Sequence, residues 1–342
     1  MIQIAQFFFA FDHFLGLKPI GTGNINDTYR LDFEAAGEQR VALIQRLNHL
    51  VFKQPEIVMH NMIQVCQYLE GQDYPYQIAR PLPGLDGLFL QKDEAGNYWR
   101  AFSFIENSFA PEGTTDPHIA YEAARAYGAF ARALRDFPAY TLGETIPGFH
   151  DTDRRWEAFL QVLAQDPVCR VAKSQSEIKA MFAAKPVFDK ISLLKSSGEL
   201  PLRIAHNDTK AGNVLFDSSS QKAMAVIDLD TVMPGTLLSD FGDMVRTFVP
   251  DCSEDSAQNP SLRTEVLDAL KRGFLEETDR FLTKTERENL MLGAAWMVGE
   301  QALRFLTDWL AGDVYYKIAS PEHNLVRAQN QLAIFRTMKY NV

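Results

Sequence analysis

Two short apolar runs, Asn213-Val-Leu-Phe216 and Met224-Ala-Val-Ile227, separated by the turn-rich Asp217-Ser-Ser-Ser-Gln-Lys222, constrain this chain more than any other stretch. They predict two antiparallel strands joined by a polar loop. A hairpin brings its open ends together. Here one end carries Asn213 and the preceding His206-Asn-Asp208, while the other carries Asp228 and Asp230. Acids gathered this closely repel, and a divalent cation is the usual remedy. Asp208 supplies a base and the Asn213–Asp228 pair supplies two hard oxygen ligands, a set suited to Mg²⁺ and to phosphoryl transfer onto a hydroxyl. Any one such Asp or Asn is more often a turn or cap residue. The ordered set in a strand-loop-strand context is what carries the reading.

At 342 residues the chain exceeds the usual size of a single core, and its 46% hydrophobic content is enough to fill two packed lobes around a cleft. A formal net charge of −10 argues against nucleic acid or an anionic membrane as partner, and no basic stripe offsets it. The apolar patch Phe7-Phe-Phe-Ala-Phe11 has no basic residue before it and is interrupted by Asp12 and His13, so a signal peptide is not expected. No run approaches the length of a membrane span. Cys66, Cys169 and Cys252 lie far apart without ligand spacing and read as buried thiols in a reducing cytoplasm.

Residues 18 to about 105 read as a small lobe. Tyr29–Phe33 and Arg40–Arg46 form a hairpin turning at Ala36-Gly-Glu38, directly after Gly21 and Gly23. Glycine allows close backbone approach, so Gly21 to Asn26, Asn24 included, is a candidate cover for phosphates. Pro55–Leu69 reads as a helix with one apolar face. A second hairpin follows, Leu88–Gln91 and Trp99–Ile105 about a turn at Asp93–Asn97. The large lobe should be mainly helical: Asp116 caps a helix reaching Phe137, and the capping box Thr283-Lys-Thr-Glu286 leads a long helix through Leu310, ended by Gly312. Trp296, Glu300, Arg304 and Thr307 then share one stripe of that helix. Arg304 has two readings there, a surface ion pair with Glu300 or Asp308 and a role toward a ligand.

These segments resemble the aminoglycoside phosphotransferase and choline kinase-like family, relatives of the protein kinases. The resemblance rests on Ile20-Gly-Thr-Gly-Asn-Ile-Asn-Asp-Thr-Tyr29, Arg46-Leu-Asn48, His206-Asn-Asp-Thr-Lys210, Ile227-Asp-Leu-Asp-Thr-Val-Met-Pro-Gly235, Arg304-Phe-Leu-Thr-Asp308 and Gly312-Asp313. It spans nearly the whole chain and is nearest to the N-acetylhexosamine 1-kinases. A protein kinase proper would show His-Arg-Asp and Asp-Phe-Gly instead. The resemblance implies an α+β, protein kinase-like two-lobed fold, with a small β-rich N-lobe (1–105), a hinge at about 103–108 and a large, mainly helical C-lobe (106–342). It implies transfer of the ATP γ-phosphate to a sugar, at the anomeric hydroxyl of an N-acetylhexosamine. The alternatives are another small alcohol, such as an aminoglycoside, choline or another sugar, or a catalytically silent nucleotide binder. In this reading Asp208 is the base that also meets the acceptor, Lys210 assists the transferred group, and Asn213 and Asp228 hold Mg²⁺. Gly21, Gly23, Asn24 and Arg46 meet the phosphates, with Gln45 the rival to Arg46, since strand alternation turns only one of them to the cleft. Glu56 is a possible partner for Arg46. Phe104, Ile105 and Glu106 meet the adenine, while Asp230, Arg304 and Arg327 surround the acceptor. His206 and Asp240 brace the catalytic loop.

Overall fold

The structure, a computed structural model, describes residues 2–21, 25–113 and 116–340. The N-terminal region comprises α1 (Ile2–Phe8), β1 (His13–Pro19), β2 (Asp27–Ala35), β3 (Glu38–Leu47), α2 (Pro55–Glu70), β4 (Pro81–Leu82), β5 (Gln91–Lys92) and β6 (Tyr98–Ser103). Its sheet runs β1-β2-β3-β6-β4, with β5 paired to β6. The β2–β3 turn takes two left-handed residues, Ala36 (φ 56°) and Gly37 (φ 78°), whose twist suits a tight hairpin. The phenylalanine patch near the N-terminus belongs to this lobe's core. Ile4 and Phe8 pack with Leu31, Phe33, Ile44, Trp99 and Ala101 on one face of the sheet, and Phe9 stacks on Phe33. The opposite face presents Leu43 and Phe102 to the main core, beside Met59 and Met62 of α2. In the expected second hairpin the first strand shrinks to Gln91–Lys92. Leu88 is instead held in a turn after Gly87 (φ 84°), its N–H donating to the Asp86 carboxylate at 2.9 Å.

Beyond β6 the chain crosses to β7 (Ser108–Phe109), and the helical region follows: α3 (Pro117–Ala133), α4 (Thr152–Gln165), α5 (Gln175–Ser196), β8 (Arg203–Ala205), β9 (Val214–Asp217), β10 (Ala223–Val226), β11 (Met233–Gly235), α6 (Leu237–Phe248), α7 (Thr264–Thr278), α8 (Lys284–Glu288), α9 (Leu290–Ala311) and α10 (His323–Thr337). This is the two-lobed kinase-like arrangement. The β9–β10 hairpin forms as expected, with Val214 opposite Val226, and β7 extends it. Asp217 ties its loop by accepting from the backbone N–H groups of Ser219 and Ser220. Strand β8, which leads into His206-Asn-Asp208, pairs with β11 just beyond Asp228-Leu-Asp230.

Asp116 caps α3 by accepting the Ile119 N–H at 2.9 Å, but the helix stops at Ala133, four residues short of Phe137 and before Pro138. The capping box at Thr283/Glu286 is present and Gly312 (φ 100°) ends α9. The expected continuous helix is broken at Asn289, whose side-chain amide donates to the Thr285 carbonyl at 2.8 Å and competes with the helical ladder. Helices α6 and α9 cross at Gly242 and Gly293, where a Cβ on Gly242 would stand 2.3 Å from the Gly293 carbonyl oxygen. Cys66 is buried and burial pushes its thiol up to about 12, whereas Cys169 is exposed and Cys252 half-buried, so only one cysteine fits the sequence reading. Among the described residues no helix is long and apolar enough to cross a membrane.

Candidate active site

Strand β8 delivers His206, Asn207 and Asp208 into a turn that α6 holds from behind. The Asp240 carboxylate accepts the N–H groups of His206 (2.9 Å) and Asn207 (2.8 Å), and Asn207 adopts φ 63°. His206 is fully buried. Its Nε2 lies 3.0 Å from the Ile227 carbonyl, its ring meets Tyr127 and Phe130 edge-on, and burial lowers its pKa. Thr231 donates to the His206 carbonyl, and the Asn207 amide donates to the Thr231 carbonyl. The His206–Asp208 turn and the 227–231 segment are therefore zipped together.

Asp208 receives the Lys210 ammonium at 2.7 Å and the Asn213 amide at 2.9 Å, both on Oδ2. Its Oδ1 is the oxygen left to meet a hydroxyl. Burial raises the Asp208 pKa, but Lys210, His206 and Asn213 outweigh it and bring the carboxyl below its ordinary value, so it is ionised at neutral pH. The Ile227 N–H donates to the Asn213 carbonyl at 2.9 Å, which brings the end of β10 beside the start of β9. Asp228 follows in the left-handed region (φ 60°, ψ 57°).

The Asp228 carboxylate accepts no hydrogen bond from the described residues and opens to the cleft. Burial of its surroundings, then the charges of Asp230 and Asp208, push it up to about 7. An acid held against repulsion with no donor on it suits a bound cation. The Asn213 amide nitrogen is spent on Asp208, leaving its Oδ1 as a second hard ligand. No group of three or more His, Cys, Asp or Glu side chains forms a cage among the described residues. An amide-carboxylate pair is what Mg²⁺ needs when substrate phosphates and water complete its shell. The residues present thus fit the ion.

Three expectations about individual residues change here. Asp230 is spent on the small lobe: only 2% exposed, it lies 2.7 Å from Arg100 of β6 and accepts from the Asn26 side chain at 2.7 Å. Arg46 sits on the sheet face that carries Trp99, and its guanidinium forks onto Asp27 at the exposed edge. Glu56 is exposed and takes no part in that pair. The strand period turns Gln45 to the cleft side instead, directly opposite Arg100. Of the glycine loop, Gly21 (φ 76°) is described, while Gly23 and Asn24 lie outside the described residues.

At the crossing, Arg30 lies over the Phe104 ring at 5.0 Å, and the Ile105 carbonyl accepts from the Ser108 hydroxyl at 2.7 Å. The backbone N–H and C=O groups of Phe104 and Glu106 bond to none of the described residues, which leaves them open to a ligand edge.

The stripe on α9 faces the 149–156 segment. Trp296 donates to Thr152 at 2.7 Å, and Glu300 accepts from Thr152 and lies 2.8 Å from His150. Arg304 stands between the rings of Phe149 and Tyr316, 5.6 Å from each. Neither expected carboxylate reaches it. Glu300 is taken by the 150–152 segment, and Asp308 accepts the N–H groups of Val314, Tyr315 and Tyr316. Among the described residues Arg304 has no ion pair, only Gln301 at 3.1 Å. Arg246, which sequence reasoning missed, pairs with Asp243 and Glu254 and senses the charges of both Asp208 and Arg304. Arg327 lies 2.6 Å from Asp255 and 3.2 Å from the Lys317 carbonyl, so its guanidinium ties the α6–α7 loop to the α9–α10 loop.

Glu300 also yields a stability expectation. Burial raises its pKa, but His150, Arg155 and Thr152 overcome this and bring it down to about 2. A depressed carboxyl stabilises the fold above its unfolded pKa, and that contribution fades as pH falls from about 4.5 toward 2. Glu300→Gln should cost about 3 kcal/mol at pH 7 and flatten the acid limb of a stability profile. Urea unfolding at pH 7 and pH 3 reads both effects, and an equal loss at the two pH values would contradict the assignment.

Residues 16–281 match the phosphotransferase enzyme family. Similar solved structures include a microcompartment-associated aminopropanol kinase, at 19% identity and TM-score 0.67, covering 98% of this chain and 97% of that one. An aminoglycoside phosphotransferase from Alicyclobacillus acidocaldarius is 14% identical with TM-score 0.61, covering 97% of this chain and 94% of that one. A choline kinase from Cryptosporidium parvum is 15% identical with TM-score 0.54, covering 93% and 88%. With that match covering well over half of the chain and including both His206–Lys210 and Ile227–Gly235, the chain belongs to the phosphotransferase enzyme family.

Proposed function

We propose that this chain is an ATP- and Mg²⁺-dependent small-molecule kinase that phosphorylates a neutral sugar, with the anomeric hydroxyl of an N-acetylhexosamine as the preferred acceptor and the cytoplasm as its site of action. The carrying observation is Arg304, a cation without a carboxylate partner among the described residues, flanked by Phe149 and Tyr316. A guanidinium between aromatic faces would repel choline or an aminoglycoside and would donate paired hydrogen bonds to hydroxyl or acetamido oxygens.

In this mechanism Asp208 orients the acceptor hydroxyl through Oδ1 and takes its proton, while Asn213 holds Oδ2 still. Lys210 keeps Asp208 ionised and offers a positive charge to the transferred group. Asn213 and Asp228 would hold Mg²⁺, which neutralises charge on the nucleotide phosphates when bound. Phe104–Glu106 offer backbone groups to the base, and Gly21 offers its backbone to the phosphates. Turnover of ATP should be measured with hexoses, N-acetylhexosamines, choline, ethanolamine and aminoglycosides, with ³¹P NMR locating the phosphate. Faster turnover of the cationic alcohols than of every sugar would defeat the sugar reading.

A further inference from the structure

On the cleft face of the small lobe the residue presented by β3 is Gln45, and the buried cation comes from the neighbouring strand. Arg100 is 1% exposed. Its Nε donates to the Gln45 side-chain oxygen Oε1 at 2.9 Å, its Nη2 reaches Asp230 at 2.7 Å, and its Nη1 lies 3.7 Å from the Met59 sulfur on α2. Gln45 passes the link on by donating to Thr28 at 2.7 Å. Asp230 also accepts from Asn26, whose own side-chain oxygen accepts the Asn48 N–H at 2.9 Å. One large-lobe carboxylate, two residues past Asp228, thus holds the end of the glycine loop directly and, through Arg100, β6 and the C-terminal part of β3 alongside α2.

We propose that Arg100 is a positioning residue for phosphoryl transfer, a latch that holds the 228–231 turn and the end of the glycine loop in one register for the metal-nucleotide complex. The assignment rests on the kinase reading above and concerns geometry within it. An apolar pair of the same volume would stabilise the fold as well as a buried ion pair, or better. What a buried pair adds is directional restraint, and the fork of Arg100 supplies it. Without Arg100, Asp230 would face Asp228 as a second unpaired acid, and the turn would be free to shift toward solvent. Asp228 and Asn26 would then lose their common anchor.

Calorimetric titration of Mg²⁺·ATP, in parallel with steady-state kinetics, tests the latch on Arg100→Gln, Asp230→Asn and the double variant. Each single variant should weaken Mg²⁺·ATP binding and raise the KM for ATP about tenfold or more, leave the acceptor KM within about twofold, and give no further loss when combined, as members of one unit do. Arg100→Lys should recover only part of the loss, because the ammonium lacks the fork. If a single variant does not fold, Arg100→Met with Asp230→Leu removes both buried charges at once. That folded protein should still bind Mg²⁺·ATP about tenfold more weakly. Wild-type affinity in Arg100→Gln or in the apolar double variant, or additive losses in the cycle, would overturn the latch while leaving the kinase reading intact. Failure of the wild-type protein to bind Mg²⁺·ATP would overturn both.

Discussion

Asp208→Asn should lower kcat by about 10²–10⁴ and leave nucleotide affinity nearly unchanged. The substitution keeps the shape of the side chain and one oxygen for Lys210 and Asn213 to hold, so the loop that Asp240 supports from behind should stay in place. What it removes is the basic oxygen left to the acceptor. Loss in kcat without loss of ATP binding is the signature of a group that acts on the hydroxyl. Unchanged turnover would take Asp208 out of that role, and a matching loss of ATP affinity would move it to the nucleotide.

Asp228→Asn should act on the other side of the reaction. Asp228 is the only carboxylate of the two-ligand set, so its loss should weaken Mg²⁺·ATP binding at least as much as the roughly 10–100-fold that removing a merely supporting residue costs a metal site. Metal-free stability should move the opposite way. Burial, Asp230 and Asp208 hold the Asp228 carboxyl up to about 7, so its ionised form is disfavoured in the fold. The penalty grows as pH rises from the ordinary carboxylate range to about 7. In EDTA at pH 8 the Asn variant should therefore melt above the wild type, with the difference vanishing near pH 4. Because the carboxylate opens to cleft water, the gain should stay within about 1 kcal/mol. Added Mg²⁺·ATP should reverse the order, since it stabilises only the protein that binds it. A wild type that melts higher under both conditions would contradict this account of Asp228.

What the amino-acid sequence determined by itself was local. The β9–β10 hairpin, the turn at Asp217, the Asp116 cap, the Thr283/Glu286 capping box and the Gly312 stop all depend on residues within a few positions of one another. The gathering of Asp208, Asn213 and Asp228 follows from that same hairpin. Tertiary structure decided which face of β3 meets the cleft, because the choice between Gln45 and Arg46 depends on α1 covering one side of the sheet and α2 the other. It decided the partner of Asp230, because β6 meets β3 across more than fifty residues and no spacing in the chain announces that Arg100 will stand opposite Gln45. It also left Arg304 without a carboxylate partner among the described residues, because the two carboxylates nearest it along α9 were claimed by the 150–152 and 314–316 segments. Short-range periodicity and capping are legible in order along a chain. The side a strand presents and the charge an arginine meets are set by distant segments competing for the same surface, and only packing settles that competition.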